Sequence, residues 1–229
     1  MTVYEIEEGW ARGKLEADGY AGFLPASALR APGPAPTHKV AALRTLVFPG
    51  PSIKLPPLEG LALGCRLAVA RIEDAFAVTA SGGYVPARHL VSVDARESDF
   101  VAVAERFLGA PYLWGGKTSL GLDCSGLLQV ALGACGIACP RDSAVQEQAL
   151  GQELSIPSSQ LRRGDLVFWK RHVAIVRDAA SLVHANAFHM AVAFEPIAQA
   201  IARIRASGSE VTSMRRLDVM VASPTGTRA

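Results

Sequence analysis

The chain changes its hydrophobic rhythm partway along. Trp10-Ala11-Arg12-Gly13-Lys14-Leu15 and Ala75-Phe76-Ala77-Val78-Thr79 have the length and composition of short strands, and turns at Asp18-Gly19 and Ser81-Gly82-Gly83 close them. From residue 99 the apolar positions move to helical spacing at Phe100, Val103, Ala104, Phe107 and Leu108, with Ser98 placed as the N-cap. A loop rich in glycine spans 109–121. It leads into an apolar helix from Cys124 to about Ala134, and a polar helix follows from about Ser143 to Leu150. After the Gly164-Asp165 turn the pattern predicts strands at Leu166–Trp169, His172–Val176, Leu182–Ala185 and Met190–Phe194, then a short helix over Pro196–Arg203. Helices first and strands afterwards predict an α+β domain with an antiparallel sheet.

Composition shifts mark the boundaries. Residues 31–37, Ala-Pro-Gly-Pro-Ala-Pro-Thr, form a stiff linker without regular structure. Asp94 to Ser98 is polar, so the chain divides into 1–30, 38–93 and 98–229. The first two segments share a repeat. Gly22-Phe23-Leu24-Pro25-Ala26-Ser27-Ala28-Leu29 matches Gly83-Tyr84-Val85-Pro86-Ala87-Arg88-His89-Leu90. A small β-barrel with a turn of 3-10 helix after the proline accounts for both copies. This resembles the bacterial SH3-like module found beside cell-wall hydrolases. The second segment has the length of a full module, and the first about half of one.

Half of the 229 residues are hydrophobic and 19% are charged, which supports a buried core and excludes wholesale disorder. A net charge of +2 without a Lys/Arg cluster argues against nucleic acid or a membrane surface as partner. There is no run of 18 apolar residues to cross a membrane as a helix. The acidic start, Met1-Thr2-Val3-Tyr4-Glu5-Ile6-Glu7-Glu8, lacks the apolar segment of a secretory signal, so the chain as it stands is expected to be cytoplasmic. The pattern implies no particular oligomeric state. Cys65, Cys135 and Cys139 have no zinc-type spacing and read as reduced, small, buried residues, so no metal or other cofactor is expected.

Cys124 stands apart. In Gly121-Leu122-Asp123-Cys124-Ser125-Gly126, Asp123 can cap the helix, and Cys124 falls in its first turn. Amide N–H groups and the helix dipole favour a thiolate there and can stabilise an oxyanion. A lone cysteine at a helix start is more often structural, so a nucleophile also needs a base. Of the five histidines, His38, His89 and His189 read as surface or packing residues. His172 and His184 lie on two strand-like runs with a turn between them, and a hairpin centred near Asp178 would set them opposite each other on one face. Two facing imidazoles suit a base and the group that orients it. Taken one at a time, each reads more readily as a half-buried strand histidine with no catalytic task.

The full motif set is Gly109-Ala110-Pro111-Tyr112-Leu113-Trp114-Gly115-Gly116 up to Asp123-Cys124-Ser125-Gly126, then Pro140-Arg141-Asp142-Ser143 with Gln146, Gly164-Asp165, His172-Val173-Ala174-Ile175 and Val183-His184-Ala185. In order and spacing it resembles the NlpC/P60 family of cell-wall cysteine peptidases over about residues 98–190. The resemblance implies a papain-like α+β catalytic domain, with Cys124 as nucleophile, His172 as base and His184 as the third member. It implies substrate-lining roles for Tyr112, Trp114, Asp123, Ser125, Asp142 and Ser143. The SH3-like segments narrow it to recycling-type γ-D-glutamyl-L-diamino-acid endopeptidases acting on peptidoglycan-derived peptides. In those enzymes the first module reads a free L-Ala amine, a contact for which Tyr20 is the candidate, with Glu5, Glu7 or Glu8 as the carboxylate. Residues 1–30, as half a barrel, are expected to pack on another part of the chain and bring Tyr20 to the cleft. A thiol-dependent amidase or acyltransferase on the same fold, and a non-catalytic wall-binding protein, are the competing readings.

Overall fold

The computed structural model describes residues 1–155, 157 and 160–218. Two compact units form, Met1–Asp94 and Ala95–Ala229; the expected domain end at residue 229 lies outside the described residues.

The first unit is built of short antiparallel strands. β1 (Thr2–Glu7), β2 (Trp10–Lys14) and β3 (Ala21–Pro25) make a three-stranded sheet in that order. Strands β4 (His38–Val40), β5 (Arg44–Val47), β6 (Glu59–Ala62), β7 (Arg66–Leu67), β8 (Val69–Glu73), β9 (Phe76–Thr79), β10 (Tyr84–Pro86) and β11 (Leu90–Ser92) form three further small sheets. Their core holds Val40, Val47, Phe48, Phe76, Val78 and Val85. The sequence repeat is also a structural one. Trp10 pairs with Pro25 and Phe76 with Pro86, and a 3-10 turn follows each proline, at Ala26–Ala28 and Ala87–His89. The Ala26 amide donates to the Gly9 carbonyl and the Ala87 amide to that of Ala75, each at 2.8 Å. The Asp18-Gly19 turn forms with Gly19 at φ +72°, a conformation that glycine adopts without penalty. β1 extends the first sheet through a segment where no strand is predicted. The first sheet buries only Ala11 fully among its apolar residues, and Ile6, Trp10 and Phe23 are exposed.

The second unit opens with α1 (Phe100–Glu105). Its N-cap is Asp99 and not Ser98, because the Asp99 carboxylate accepts from the Val101 and Ala102 amides at 2.8 and 3.1 Å. A two-stranded ribbon, β12 (Lys117–Thr118) and β13 (Gly121–Leu122), leads into α2 (Cys124–Ala134), and α3 (Ser143–Ala149) follows. The central sheet contains β14 (Gln152–Glu153), β15 (Asp165–Trp169), β16 (His172–Val176), β17 (Ser181–Asn186), β18 (Ala191–Pro196) and β19 (Val211–Arg216). Its order is β14-β19-β15-β16-β17-β18, and every paired neighbour is antiparallel. α4 (Ile197–Ala206) lies between β18 and β19 in the chain. The sheet is covered on both faces. Val167, Trp169, Ala174, Val176 and Leu182 pack with Ile197, Ala200 and Ile204 of α4, while α1 and α2 lie against β16 and β17. Double cover explains why these strands read as continuous apolar runs and not as alternation.

A close approach fixes the start of α2. A Cβ on Gly126 would overlap the Gly116 carbonyl and come to 2.9 Å from Asp123 Oδ1. Gly126→Ala is therefore expected to destabilise the second unit by about 1–3 kcal/mol, whereas Gly133→Ala, with open space around it, stabilises or leaves it unchanged. Urea titrations of the two variants check the contrast.

Candidate active site

Asp123 caps α2 by accepting from the Gly126 amide at 2.7 Å, which sets Cys124 in the first turn. Its Sγ is buried against the hairpin that opens β16 and lies 3.9 Å from the Arg171 carbonyl. Arg171 holds φ +64°, a left-handed conformation outside glycine, in the tight turn between β15 and β16. The Val173 amide also reaches the sulfur. Cys124 therefore contacts the backbone on both sides of His172.

The histidines meet as a relay. The β16–β17 register pairs Ile175 with Val183 and Val176 with Leu182, which centres the hairpin one residue later than the sequence suggests. Extended, it sets His172 opposite Asn186 and leaves His184 as its diagonal neighbour on the same face. The rings still meet, with His172 Nε2 3.0 Å from His184 Nδ1. On its far side His184 Nε2 lies 3.0 Å from Glu195 Oε2. Arg203 on α4 grips that carboxylate through Nε to Oε1 at 2.8 Å and Nη2 to Oε2 at 2.7 Å.

The sequence reading assigns no site role to Glu195 or Arg203. The predicted strand stopped at Phe194, one residue short. In the observed register His184 pairs with Ala193, so Glu195 is the diagonal neighbour of His184, within reach of a long side chain. Among the described residues, His184, His189 and Glu195 bring one ligand-type atom each within 4.8 Å of one another. Both Glu195 oxygens are, however, already taken by Arg203, and that positive charge opposes a cation there.

Asp123 and Ser125, expected at a cleft wall, are instead buried in a polar network. Arg141 donates to Asp123 Oδ1 and Oδ2 at 3.0 and 2.7 Å and to Ser125 Oγ at 2.8 Å, and the Gly115 amide donates to Asp123 Oδ2 at 2.8 Å. A carboxylate that caps a buried helix start needs such a counter-charge, and the Arg141 pair holds it below its usual range against the opposing effect of burial. Tyr112 is half-buried and bridges to Leu122, two residues before the nucleophile. Burial first, and then Cys124, raises its pKa and keeps its hydroxyl a donor. Trp114 is 77% exposed. Asp142 is exposed as the N-cap of α3 without spending its side chain on the cap, and Ser143 begins that helix. Tyr20, in the first unit, is 46% exposed, and its amide donates to Asp18 Oδ1 at 3.0 Å.

The electrostatics favour a neutral resting pair. Burial pushes the Cys124 thiol up, and Asp123 adds to this. The amides of Val173, Ser125 and Cys124 pull the other way without overcoming it. Burial likewise drives His172 down to about 3, aided by His184 and Arg203 and opposed by Glu195. The thiolate expected from the helix start alone therefore does not prevail at rest, because desolvation outweighs the helix amides. Two consequences can be measured. Alkylation of Cys124 by iodoacetamide is expected to accelerate as pH rises into the alkaline range; a rate flat from pH 6 to 10 contradicts the neutral pair. The second is acid sensitivity. His172 binds its proton far more weakly folded than unfolded, so its contribution to stability is fully present above about 6.5 and is lost as pH falls toward 3. Denaturant midpoints should decline over that window, and less steeply in His172→Gln.

Comparison with known proteins places this geometry. Residues 109–208 match the NlpC/P60 family model, and residues 1–29 match the bacterial dipeptidyl-peptidase Sh3 domain. The chain is 35% identical over 100 residues to "Dipeptidyl-peptidase 6" of Lysinibacillus sphaericus, covering 44% of this chain and 36% of that protein. It is 29% identical over 107 residues to "Gamma-D-glutamyl-L-lysine dipeptidyl-peptidase" of Bacillus cereus, covering 43% and 31%. The chain thus spans about a third of the length of these curated relatives. A crystal structure of an NlpC/P60 family protein from Bacillus cereus superposes with a TM-score of 0.76 at 21% identity, covering 94% of this chain and 78% of that one. This similarity shows a shared fold.

Proposed function

Starting from a chain that carries an NlpC/P60 domain and a bacterial dipeptidyl-peptidase SH3 domain, we propose that it is a cysteine peptidase that cuts the γ-D-Glu–L-diamino acid amide of peptidoglycan stem peptides. The observation that carries the reading is the set of Cys124 at the start of α2, against the backbone flanking His172, with His172 bonded to His184. Cys124 Sγ attacks the γ-carbonyl of D-Glu as its proton passes to the ring nitrogen of His172 that is not bonded to His184. The Cys124 amide and the Tyr112 hydroxyl are the donors for the oxyanion. The C–N bond breaks, and His172 returns the proton to the leaving amine. Water, deprotonated by His172, then opens the thioester, and the thiol re-forms on Cys124.

The names of the relatives support the substrate class. A dipeptidyl-peptidase releases a dipeptide from a free N-terminus, which here is L-Ala-γ-D-Glu. Peptides with that free amine are soluble products of wall turnover, so the reading assigns the protein to recycling in the cytoplasm, with Tyr20 as the candidate contact to the L-Ala amine. The test is release of the free diamino acid from L-Ala-γ-D-Glu-diaminopimelate and from its L-lysine counterpart, against the same peptides acetylated on L-Ala. Cleavage of the free-amine peptides alone is expected. Equal rates on acetylated peptide, or faster digestion of intact sacculi, refute the recycling assignment; no cleavage of any of them refutes the peptidase reading.

His184 orients His172 without touching the reacting atoms. His184→Gln, which can still place an acceptor near His172, is expected to lose about 10–100-fold in kcat, with His184→Ala lower still. A steady-state comparison on the same peptide that ranks Ala above Gln contradicts the orienting role.

A further inference from the structure

We propose that Glu195, clamped by Arg203, is a positioning residue that fixes the protons on both imidazoles and leaves Nδ1 of His172 as the bare, basic nitrogen. The proposal rests on the reading of His172 as the base for Cys124. Glu195 accepts two hydrogen bonds from Arg203, and this contact, with that of His184, holds it ionised, down to about 2, despite burial. An ionised carboxylate only accepts, so His184 presents Nε2–H to Oε2 across their 3.0 Å contact. Neutral His184 then has Nδ1 without a proton. The contact of the same length between His184 Nδ1 and His172 Nε2 requires the hydrogen to come from His172. With its proton on Nε2, neutral His172 has one free lone pair, on Nδ1. Reversing the order at Glu195 reverses each step: His184 with Nδ1–H would donate to His172 Nε2, and His172 would carry Nδ1–H, a blocked base. The three side chains share one face of β16, β17 and β18, so the order passes along the sheet and ends on α4 at Arg203.

Glu195→Gln tests this with nearly unchanged volume. One amide oxygen must then serve both the His184 and Arg203 donors, and the amide NH2 faces the other. The first readout is the tautomer of each imidazole, from long-range 1H–15N spectra of the full chain. In the unmodified protein both His172 and His184 are expected to carry the proton on Nε2, and in Glu195→Gln a population with Nδ1–H appears on both. The second readout is kinetic: kcat falls about 10–100-fold while KM stays within about twofold, and Glu195→Asp recovers part of the loss. Nδ1–H on His172 in the unmodified protein overturns the proposal and needs no variant to fold. Unchanged tautomers or unchanged kcat in a folded Glu195→Gln also overturn it. If the tautomers behave as expected while no stem peptide is cleaved, the functional reading fails and the proton ordering stands.

Discussion

Replacing Cys124 with Ala or Ser is expected to abolish the proposed stem-peptide cleavage, a fall of at least about 10⁴-fold, and to leave the second unit folded. The size of the effect follows from the mechanism. Without the sulfur no thioester forms, and a serine oxygen, far less nucleophilic at its own pKa than a thiol, is a poor substitute at this position. The persistence of the fold follows from position. Cys124 is the first residue of α2, and its sulfur faces the Arg171 turn, while the packing of the helix rests on Leu127, Leu128, Ala131 and Leu132. The helix cap belongs to Asp123, whose bonds to Gly126 and Arg141 survive the substitution. Cys135→Ala, at the other end of the helix, should keep full activity. The measurements are single-turnover cleavage at high enzyme concentration and thermal melts of all three variants. Residual cleavage above about 1% of the parent in Cys124→Ala, or loss of activity in Cys135→Ala, removes Cys124 as the nucleophile.

How much of this was legible beforehand depended on whether the signal was local. The limits of α2 followed from an apolar run bounded by Asp123, since a cap and a packing face are both encoded within a few residues. The repeat in the first unit was legible because Gly-aromatic-aliphatic-Pro-Ala encodes one local event, a strand ended by proline and a 3-10 turn. The strands β15 to β18 were visible as apolar runs because the sheet is covered on both faces. Long-range pairing was not legible. β19, Val-Thr-Ser-Met-Arg-Arg, has no strong pattern and becomes a strand by inserting between β14 and β15, where Arg216 pairs with the buried Asp165 at 2.7 Å through both of its oxygens. The hairpin centre shifted by one residue for the same reason: register is decided by which side chains the two faces of the sheet accept. The substrate-lining roles expected of Asp123 and Ser125 came from the family resemblance alone. Their partner, Arg141, lies 18 residues away from Asp123, and only the fold shows that it closes the network. Glu195 was hidden in a similar way, with its partners His184 and Arg203 lying 11 and 8 residues away.

His172→Ala is expected to be as severe as loss of Cys124, and the double variant Cys124→Ala/His172→Ala no worse than either single one. A nucleophile and its base act as one unit, so removing the second after the first costs almost nothing more. The resting state sharpens this expectation. Burial pushes the thiol up and the imidazole down, which favours transfer of the thiol proton to His172 within the substrate complex over a pre-formed ion pair. In a pre-formed ion pair the thiolate fraction would be set partly by the helix amides, and a variant without the base would retain some nucleophile. Here the residual rate of His172→Ala should instead climb with pH, as hydroxide takes the role of the base. Cleavage rates for the two single variants and the double variant between pH 6 and 10 decide the matter. His172→Ala within tenfold of the parent at pH 7, or a double variant far below both singles, separates the two residues into independent roles and removes His172 as the base.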